Sequence, residues 1–290
     1  MNSDLLLVGH ISRDIMIDYL GNETRILGGA VIYASAVYSA IGLSVKVVSK
    51  LPKSEEALKK ELENSKIDWI IKESKDMTSI RNHYFTEDKE RREAVLLSKA
   101  DRFNLYEIIE ENSDIYCLAG LFVGEIPDSF IVPLSKKGKV ALDAQCILRK
   151  SDENGNMLYT DWENKRILIP YLTYLKVDAA EAEILTGYSD TLKAIKQLGD
   201  WGVKEVMLTH NTKVMVLADG ELYSAPYTNS NNSGRTGRGD TTFAAYLAWR
   251  KNHSAKESVE FAATLCSMKM EKPGVFSLSV EDVLKRMNEE

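Results

Sequence analysis

The sequence predicts an α/β fold: a mainly parallel sheet with helices on both faces. Three observations predict it. Short apolar runs suited to buried strands recur, at 5–8, 45–49, 114–119, Lys139–Asp143, 172–177 and Glu205–Thr209. Helical spacing fills stretches between them, at 31–41, 55–65 and 128–135. No internal repeat or low-complexity linker interrupts this pattern over 290 residues, a length that one large α/β domain can fill.

The run 5–8 ends in Gly9, and His10-Ile11-Ser12-Arg13-Asp14 follows. Ligands in open α/β sheets bind at such carboxyl ends. Asp14 could accept hydrogen bonds from two neighbouring hydroxyls, or simply cap a turn; His10 reads as a local hydrogen-bonding residue. Gly28-Gly29 then precedes the small-residue helix 31–41, and Gly42 closes it as a C-cap. After 45–49 come the amphipathic helix 55–65 and a short strand at 69–71. Strand-like segments at 77–85 and 94–97 flank a charged tip, 86–93, to which no role is assigned. This exposed hairpin breaks the βα alternation.

Asp143-Ala144-Gln145 lies at a strand end, where it could face a cleft. Asp178-Ala179-Ala180-Glu181 follows another strand. Taken alone, it reads as a helix N-cap with a first-turn Glu. The strands at 213–217 and 222–225 form a hairpin closed by Asp219-Gly220, a type I′ pair. Helices follow at 241–251 and 262–270, and Lys272-Pro273-Gly274 breaks the second. Phe261, Leu265 and Met268 share one helical face and read as core.

The formal net charge of −6 argues against general nucleic-acid binding. No apolar run is long enough to cross a membrane. Met1-Asn2-Ser3-Asp4 carries no basic region and leads into a strand, so it does not read as a signal peptide. Cys117, Cys146 and Cys266 form no Cys-x-x-Cys pair and suggest neither zinc nor a disulfide framework. Buried thiols in a reducing cytoplasm are expected.

The chemistry concentrates in Ser233-Gly234-Arg235-Thr236-Gly237-Arg238-Gly239-Asp240-Thr241-Thr242-Phe243. A glycine-rich turn opening a helix presents backbone N–H groups whose partial positive charge suits phosphate. Gly237 and Gly239 remove side chains that would keep a phosphate away. A carboxylate beside phosphate is repelled unless it has work there. Asp240 could accept the proton of a hydroxyl attacking phosphorus. The plainer alternative makes Asp240 an N-cap and the glycines filler. No Gly-x-x-x-x-Gly-Lys-Ser/Thr loop is present, so this turn must hold any ATP.

Thr236-Gly237-Arg238-Gly239-Asp240-Thr241-Thr242-Phe243 resembles the C-terminal signature of the ribokinase (PfkB-type) family of carbohydrate kinases, commonly Thr-Gly-Ala-Gly-Asp-x-Phe. The resemblance runs from Leu5 to about Gly274. It implies a ribokinase-like three-layer sandwich with a mainly parallel sheet and a small β-sheet lid. The chain 1–290 would be a single kinase domain, its lid formed by part of 12–27 and about 77–98. Asp240 would be the catalytic base, with Gly237, Arg238 and Gly239 giving a backbone anion hole. Arg238 stands where the family usually has Ala.

The resemblance also implies that Asp14 and the Gly28-Gly29 pair bind the sugar. Tyr33 stands where an Asn is common. Arg81 and Tyr84 would touch substrate from the lid, and Asp143 from the cleft. Asp178-x-x-Glu181 resembles a family Asn-x-x-Glu motif that organises magnesium and nucleotide phosphates. Thr209, Arg235, Thr236 and Gly274 would contact the nucleotide, with adenine between helix 262–270 and the preceding loops. His210 stands where Gly is usual. The implied activity is ATP-dependent phosphorylation of a small carbohydrate or cyclic polyol, with Mg2+ and a monovalent cation such as K+. The Arg235–Asp240 and His10–Asp14 stretches look most like prokaryotic inositol-kinase-like members. A nucleoside or sugar-acid kinase is the alternative, with Arg235 and Arg238 serving an acidic substrate. Tyr33, Asp178, His210 and Arg238 keep a non-catalytic ligand-binding protein in view. The lid strands could pair two subunits into a homodimer.

Overall fold

The structure, a computed structural model, describes residues 2–63, 65–87 and 91–289. The first half runs β1 (Ser3–Val8), β2 (Ser12–Ile17), β3 (Glu23–Gly28), α1 (Ala30–Ile41), β4 (Val45–Leu51), α2 (Glu56–Glu63), β5 (Asp68–Glu73), β6 (Ser79–Tyr84) and β7 (Arg92–Ser98). Next come β8 (Ser113–Leu118), α3 (Ile131–Ser135), β9 (Lys139–Asp143), α4 (Gln145–Leu148), β10 (Arg149–Ser151), β11 (Met157–Tyr159), α5 (Lys165–Leu168) and β12 (Tyr174–Asp178). The chain ends with α6 (Ala179–Thr186), α7 (Thr191–Asp200), β13 (Glu205–Thr209), β14 (Lys213–Ala218), β15 (Glu221–Pro226), α8 (Arg238–Trp249), α9 (Ala255–Met270) and α10 (Val280–Glu289).

The middle layer is a nine-stranded sheet in the order β15-β14-β13-β12-β9-β8-β1-β4-β5. The strands from β13 to β5 pair in parallel, and the β14–β15 hairpin closes one edge antiparallel. Helices cover both faces, so each central strand must be apolar on both sides. β1 shows this: Leu5 and Leu7 belong to the apolar cluster that includes α1, α8 and α9, while Leu6 and Val8 belong to the cluster on the other face that includes α3, α6 and α7. The hairpin turn has φ 52° at Asp219 and 81° at Gly220, the left-handed pair that a type I′ turn requires.

A second sheet, ordered β3-β2-β6-β7, stands apart from the first. It is mixed, because β2 pairs parallel to β6 and the other pairs are antiparallel. Of the expected charged tip, 88–90 lie outside the described residues. A short hairpin, β10–β11, bridges to β7 through Val95 and Asn156. Its three-residue strands are too short to show a period, and the sequence reading placed no strand there. Several helices depart from that reading, which placed none at α4, α5 or α7. α8 begins at Arg238 rather than Thr241, α9 begins at Ala255, and α10 was not expected. Cys117, Cys146 and Cys266 are free and buried. Among the described residues no helix is long and apolar enough to cross a membrane.

Candidate active site

The parallel strands bring their carboxyl ends to one edge of the sheet, and α8 starts beside them. Gly237 is the N-cap of α8, with φ 78° and no side-chain cap. Only glycine takes that left-handed backbone without strain. Space demands it too, since a Cβ at Gly237 would lie 2.4 Å from the ring of Tyr33. The Arg238 N–H donates to the Arg235 carbonyl at 3.1 Å, and the Thr241 N–H to Gly237 at 2.9 Å. The expectation that Arg238 lends its backbone to an anion hole is therefore corrected, because that donor closes the turn. The first-turn N–H groups of Gly239 and Asp240 have no intrahelical acceptor and remain to meet an anion.

A cleft of about 310 Å3 opens over this helix end. It is lined by Tyr84, Thr209, Asp178, Thr236 and the turn from Arg235 to Asp240, and also by Arg92, Gln145, Lys176 and Asn211. Arg235 and Arg238 both donate to Asn211 Oδ1, at 3.1 Å and 3.4 Å, tying the turn to the loop after β13. Thr209 ends β13 and is almost fully buried.

Asp240 is half-buried at the third helical position. Burial raises its pKa to about 6, and the like charge of Asp143 adds to that; Lys176, Lys269 and Arg149 pull the other way. Lys176 comes from the middle of β12, with its ammonium 3.0 Å from Asp143 and 3.8 Å from Glu181. Burial works against the Lys176 charge, but Asp143, Glu181 and Asp240 together hold its pKa above the usual lysine range. Gly239 gives this side chain room: a Cβ there would lie 3.2 Å from Lys176 Cε. Asp143 was expected to face substrate. It is instead buried, bonded to Lys176 and to the Gln145 N–H, and does not line the cleft.

Asp178 and Glu181 form a reciprocal capping box. Asp178 Oδ1 accepts the Glu181 N–H at 2.8 Å, and Glu181 Oε2 accepts the Asp178 N–H at 2.7 Å. Burial raises the Glu181 pKa to about 8, against the opposing pull of Lys176. Glu181 is thus spent on the cap and on Lys176, whereas Asp178 reaches the cleft surface. Among the described residues no group of three or more His, Cys, Asp or Glu side chains could hold a metal ion.

Asp14 belongs to β2 of the second sheet and is 7% exposed, with Oδ1 lacking any hydrogen-bond partner. Burial raises its pKa to about 6. Gly28 is glycine because a Cβ there would sit 2.5 Å from Asp14 Oδ2. A Cβ at Gly29 would strike the His10 carbonyl at 2.3 Å. Tyr33 is buried against Gly237. Burial raises the pKa of its hydroxyl, and the charges of Asp240 and Asp14 raise it further. From the second sheet, Tyr84 meets Thr236 at 3.2 Å and Arg92 approaches Tyr84 at 3.5 Å.

Two expected contacts are displaced. Arg81 is exposed between buried Ile80 and Asn82, on the opposite face of β6 from Tyr84, so it does not reach the cleft. Gly274 lines an adjoining, more apolar cleft with Met16, Ile26, Leu27, Tyr33 and Val275, which shares Tyr84 and Thr236 with the first but does not include Asp240. Lys176, Arg92 and Lys269 were missed. A lone cation inside the apolar run of β12 was a readable signal, because Lys is almost never buried without a partner.

The family model described as pfkB family carbohydrate kinase matches residues 4–282. One similar structure is a pyrophosphate-dependent kinase in the ribokinase family, complexed with a pyrophosphate analog and myo-inositol. It is 31% identical, with 97% of this chain and 99% of that chain covered and a TM-score of 0.88. A pyrophosphate-dependent myo-inositol-1 kinase, converted into a myo-inositol-3 kinase by two substitutions, is 30% identical, with 98% of each chain covered and a TM-score of 0.87. Ribokinase of Arabidopsis thaliana, complexed with ribose and ATP, shares the fold at 18% identity, 99% coverage of each chain and a TM-score of 0.75. No curated protein matches. The match over nearly the whole length, on a three-layer sandwich of the same shape, means that the chain belongs to the pfkB family of carbohydrate kinases and is a phosphotransferase acting on sugar hydroxyls.

Proposed function

We propose that this kinase transfers a phosphoryl group from inorganic pyrophosphate to a hydroxyl of a cyclic polyol of the inositol kind. The observation that carries the donor is the character of the cleft. Arg92, Lys176, Arg235 and Arg238 line it, and Tyr84 is its aromatic wall among the described residues. Its volume of about 310 Å3 is at the small end of ligand sites, which span ~300–1,000 Å3. Four cations and the open helix end around that space suit a compact, highly charged anion. The similar kinases at 30–31% identity are pyrophosphate-dependent, which agrees.

The acceptor would lie under the second sheet. The unpaired Asp14 Oδ1 is a buried acceptor that needs a donor, and ring hydroxyls supply one. Asp240 takes the proton of the attacking hydroxyl as its oxygen bonds to phosphorus. The bond from that phosphorus to the bridging oxygen breaks, and orthophosphate leaves. The Gly239 and Asp240 N–H groups, Lys176 and the arginines hold the charge that spreads over the phosphoryl oxygens. Mg2+ arriving with the donor would neutralise part of its charge; Asp178 is the cleft carboxylate able to hold it through water, as that hard ion prefers.

The test is a matrix of donors and acceptors. Pyrophosphate and ATP are each offered with myo-inositol, ribose, fructose, 2-keto-gluconate-type acids and nucleosides, and phosphorylated product is measured. Turnover should be highest with pyrophosphate and myo-inositol. Faster turnover with ATP overturns the donor; preference for ribose or a nucleoside overturns the acceptor.

A further inference from the structure

Lys269 stands near the C-terminal end of α9 and is 3% exposed. Its ammonium donates to two main-chain carbonyls, that of Gly234 at 2.5 Å and that of Thr236. It also lies 4.8 Å from the centre of the Tyr33 ring. Burying an ammonium costs several kcal/mol unless its surroundings restore what water gave. Here the restoring groups include two carbonyl dipoles and a π face, in the turn that leads into α8 or packed on it. The same turn is fixed to α9 elsewhere. The Gly234 N–H donates to the Met270 carbonyl at 2.8 Å, and a Cβ at Gly234 would lie 1.8 Å from the Lys272 oxygen. Tyr33 in turn rests on Gly237. One cation therefore joins the end of α9, the approach to the glycine turn and the helix α1 that carries Tyr33.

We propose that Lys269 is a positioning residue for phosphoryl transfer: its tethered ammonium holds the Gly234 and Thr236 carbonyls, sets the start of α8, and takes the place of a free monovalent cation. The kinase consequently turns over without K+. This rests on the reading of the α8 turn as the phosphate-binding end of the site. The resemblance to ribokinases raised K+ as an activator. At this turn a monovalent charge with two carbonyl partners is already built into the chain.

Lys269 also bears on the base. Asp240 is faced by Asp143 from β9, Lys176 from β12, Arg149 from β10, Tyr33 from α1, Cys117 from β8, and Lys269 and Cys266 from α9. Of these, Lys269 is among the cations that restrain the rise of the Asp240 pKa. Loss of its charge should move the acid limb of the rate profile to higher pH.

The test compares wild type with Lys269→Ala and Lys269→Met in choline, Na+, K+, ammonium and methylammonium salts, with pyrophosphate and separately with ATP as donor. Unfolding midpoints are taken alongside. Wild-type kcat should vary less than about twofold across the salts. Lys269→Ala should lose about 100-fold in kcat with a smaller change in acceptor KM, since misplacing reacting groups by ~1 Å costs about that much. Ammonium or methylammonium should return at least tenfold, and the acid limb should shift upward. A wild type that needs K+ overturns the proposal, whether or not the variants fold. So does a folded Lys269→Met variant with wild-type kcat, or a folded Lys269→Ala variant that neither cation restores. Because each donor is scored by itself, an error about pyrophosphate shows as a change of donor and leaves the cation comparison intact.

Discussion

Helices α6 and α8 open onto the same cleft with an acidic residue at the third position, yet they are finished in opposite ways. In α6, Asp178 caps the Glu181 N–H and Glu181 reaches back to the Asp178 N–H, so the helix end satisfies itself. In α8 the cap is Gly237, which has no side chain to offer, and Asp240 caps nothing. The difference teaches where to look for a ligand. An N-terminus whose donors are consumed by its own side chains is closed, and one begun by a left-handed glycine keeps them for an anion. Asp240 caps nothing, and burial with the nearby Asp143 raises its pKa, which suits it to the base role proposed for it.

The largest test of this contrast removes the base and keeps the shape. Asp240→Asn should lower kcat by about 10²–10⁴-fold, the range for general-base catalysis. Pyrophosphate binding by calorimetry should stay or tighten, because a negative charge has left the anion site. Near-normal turnover in this variant would falsify the base assignment. Next in size is Gly237→Ala. The left-handed backbone costs an L-residue ~1–2 kcal/mol, and the new methyl meets the Tyr33 ring. We expect about 100-fold loss in kcat, since ~1 Å of misplacement suffices for that. A crystal structure showing the turn unmoved, with kcat intact, would mean that glycine is not required.

Much of this contrast was legible beforehand, and the parts that were not share a cause. Strands such as Lys139–Asp143 and Glu205–Thr209 announce themselves, because a strand buried on both faces needs an unbroken apolar run, here 140–142 and 206–208. The α6 cap was readable as Asp-x-x-Glu, and its local bonds are those of a cap. The glycine turn was readable because backbone geometry depends on nearby residues alone. Arg81 was placed on the wrong face. Yet Ile80 and Tyr84 share the parity of Asn82, and that alternation would have selected Asn82 instead. Gly274 and Lys269 depend on where α9 ends relative to the glycine turn. That is a tertiary distance between segments far apart in the chain, and periodicity does not carry it.

The contrast sharpens with pH. As the proposed base, Asp240 must be ionised to work, and its pKa is raised to about 6, so kcat/KM should fall about tenfold per unit below that pH. Stability should move the other way. Asp14 and Asp240 bind protons more tightly folded than unfolded, where the reference is 3.8. Between pH 4 and about 6 the folded state therefore holds the extra protons, and these two groups cost stability as pH rises. Asp14→Asn removes one of them, so its stability relative to wild type should improve from pH 4 to 6. Denaturant midpoints at several pH values check this, and a relative stability that is flat or falling contradicts the raised pKa.

The smallest effect belongs to the closed helix end and separates capping from charge. Asp178→Ala loses the cap and should cost about 1 kcal/mol in unfolding free energy. Asp178→Ser keeps a hydroxyl able to accept the Glu181 N–H, and serine caps about as well as aspartate, so its denaturant midpoint should match wild type. It nevertheless removes the carboxylate that α6 shows to the cleft. If that charge helps hold Mg2+ through water, the serine variant should need more Mg2+ for half-maximal rate at unchanged stability. An unaltered Mg2+ requirement in Asp178→Ser would leave Asp178 as a cap alone, and would move the whole burden of neutralising the donor onto Lys176, the arginines and the open end of α8.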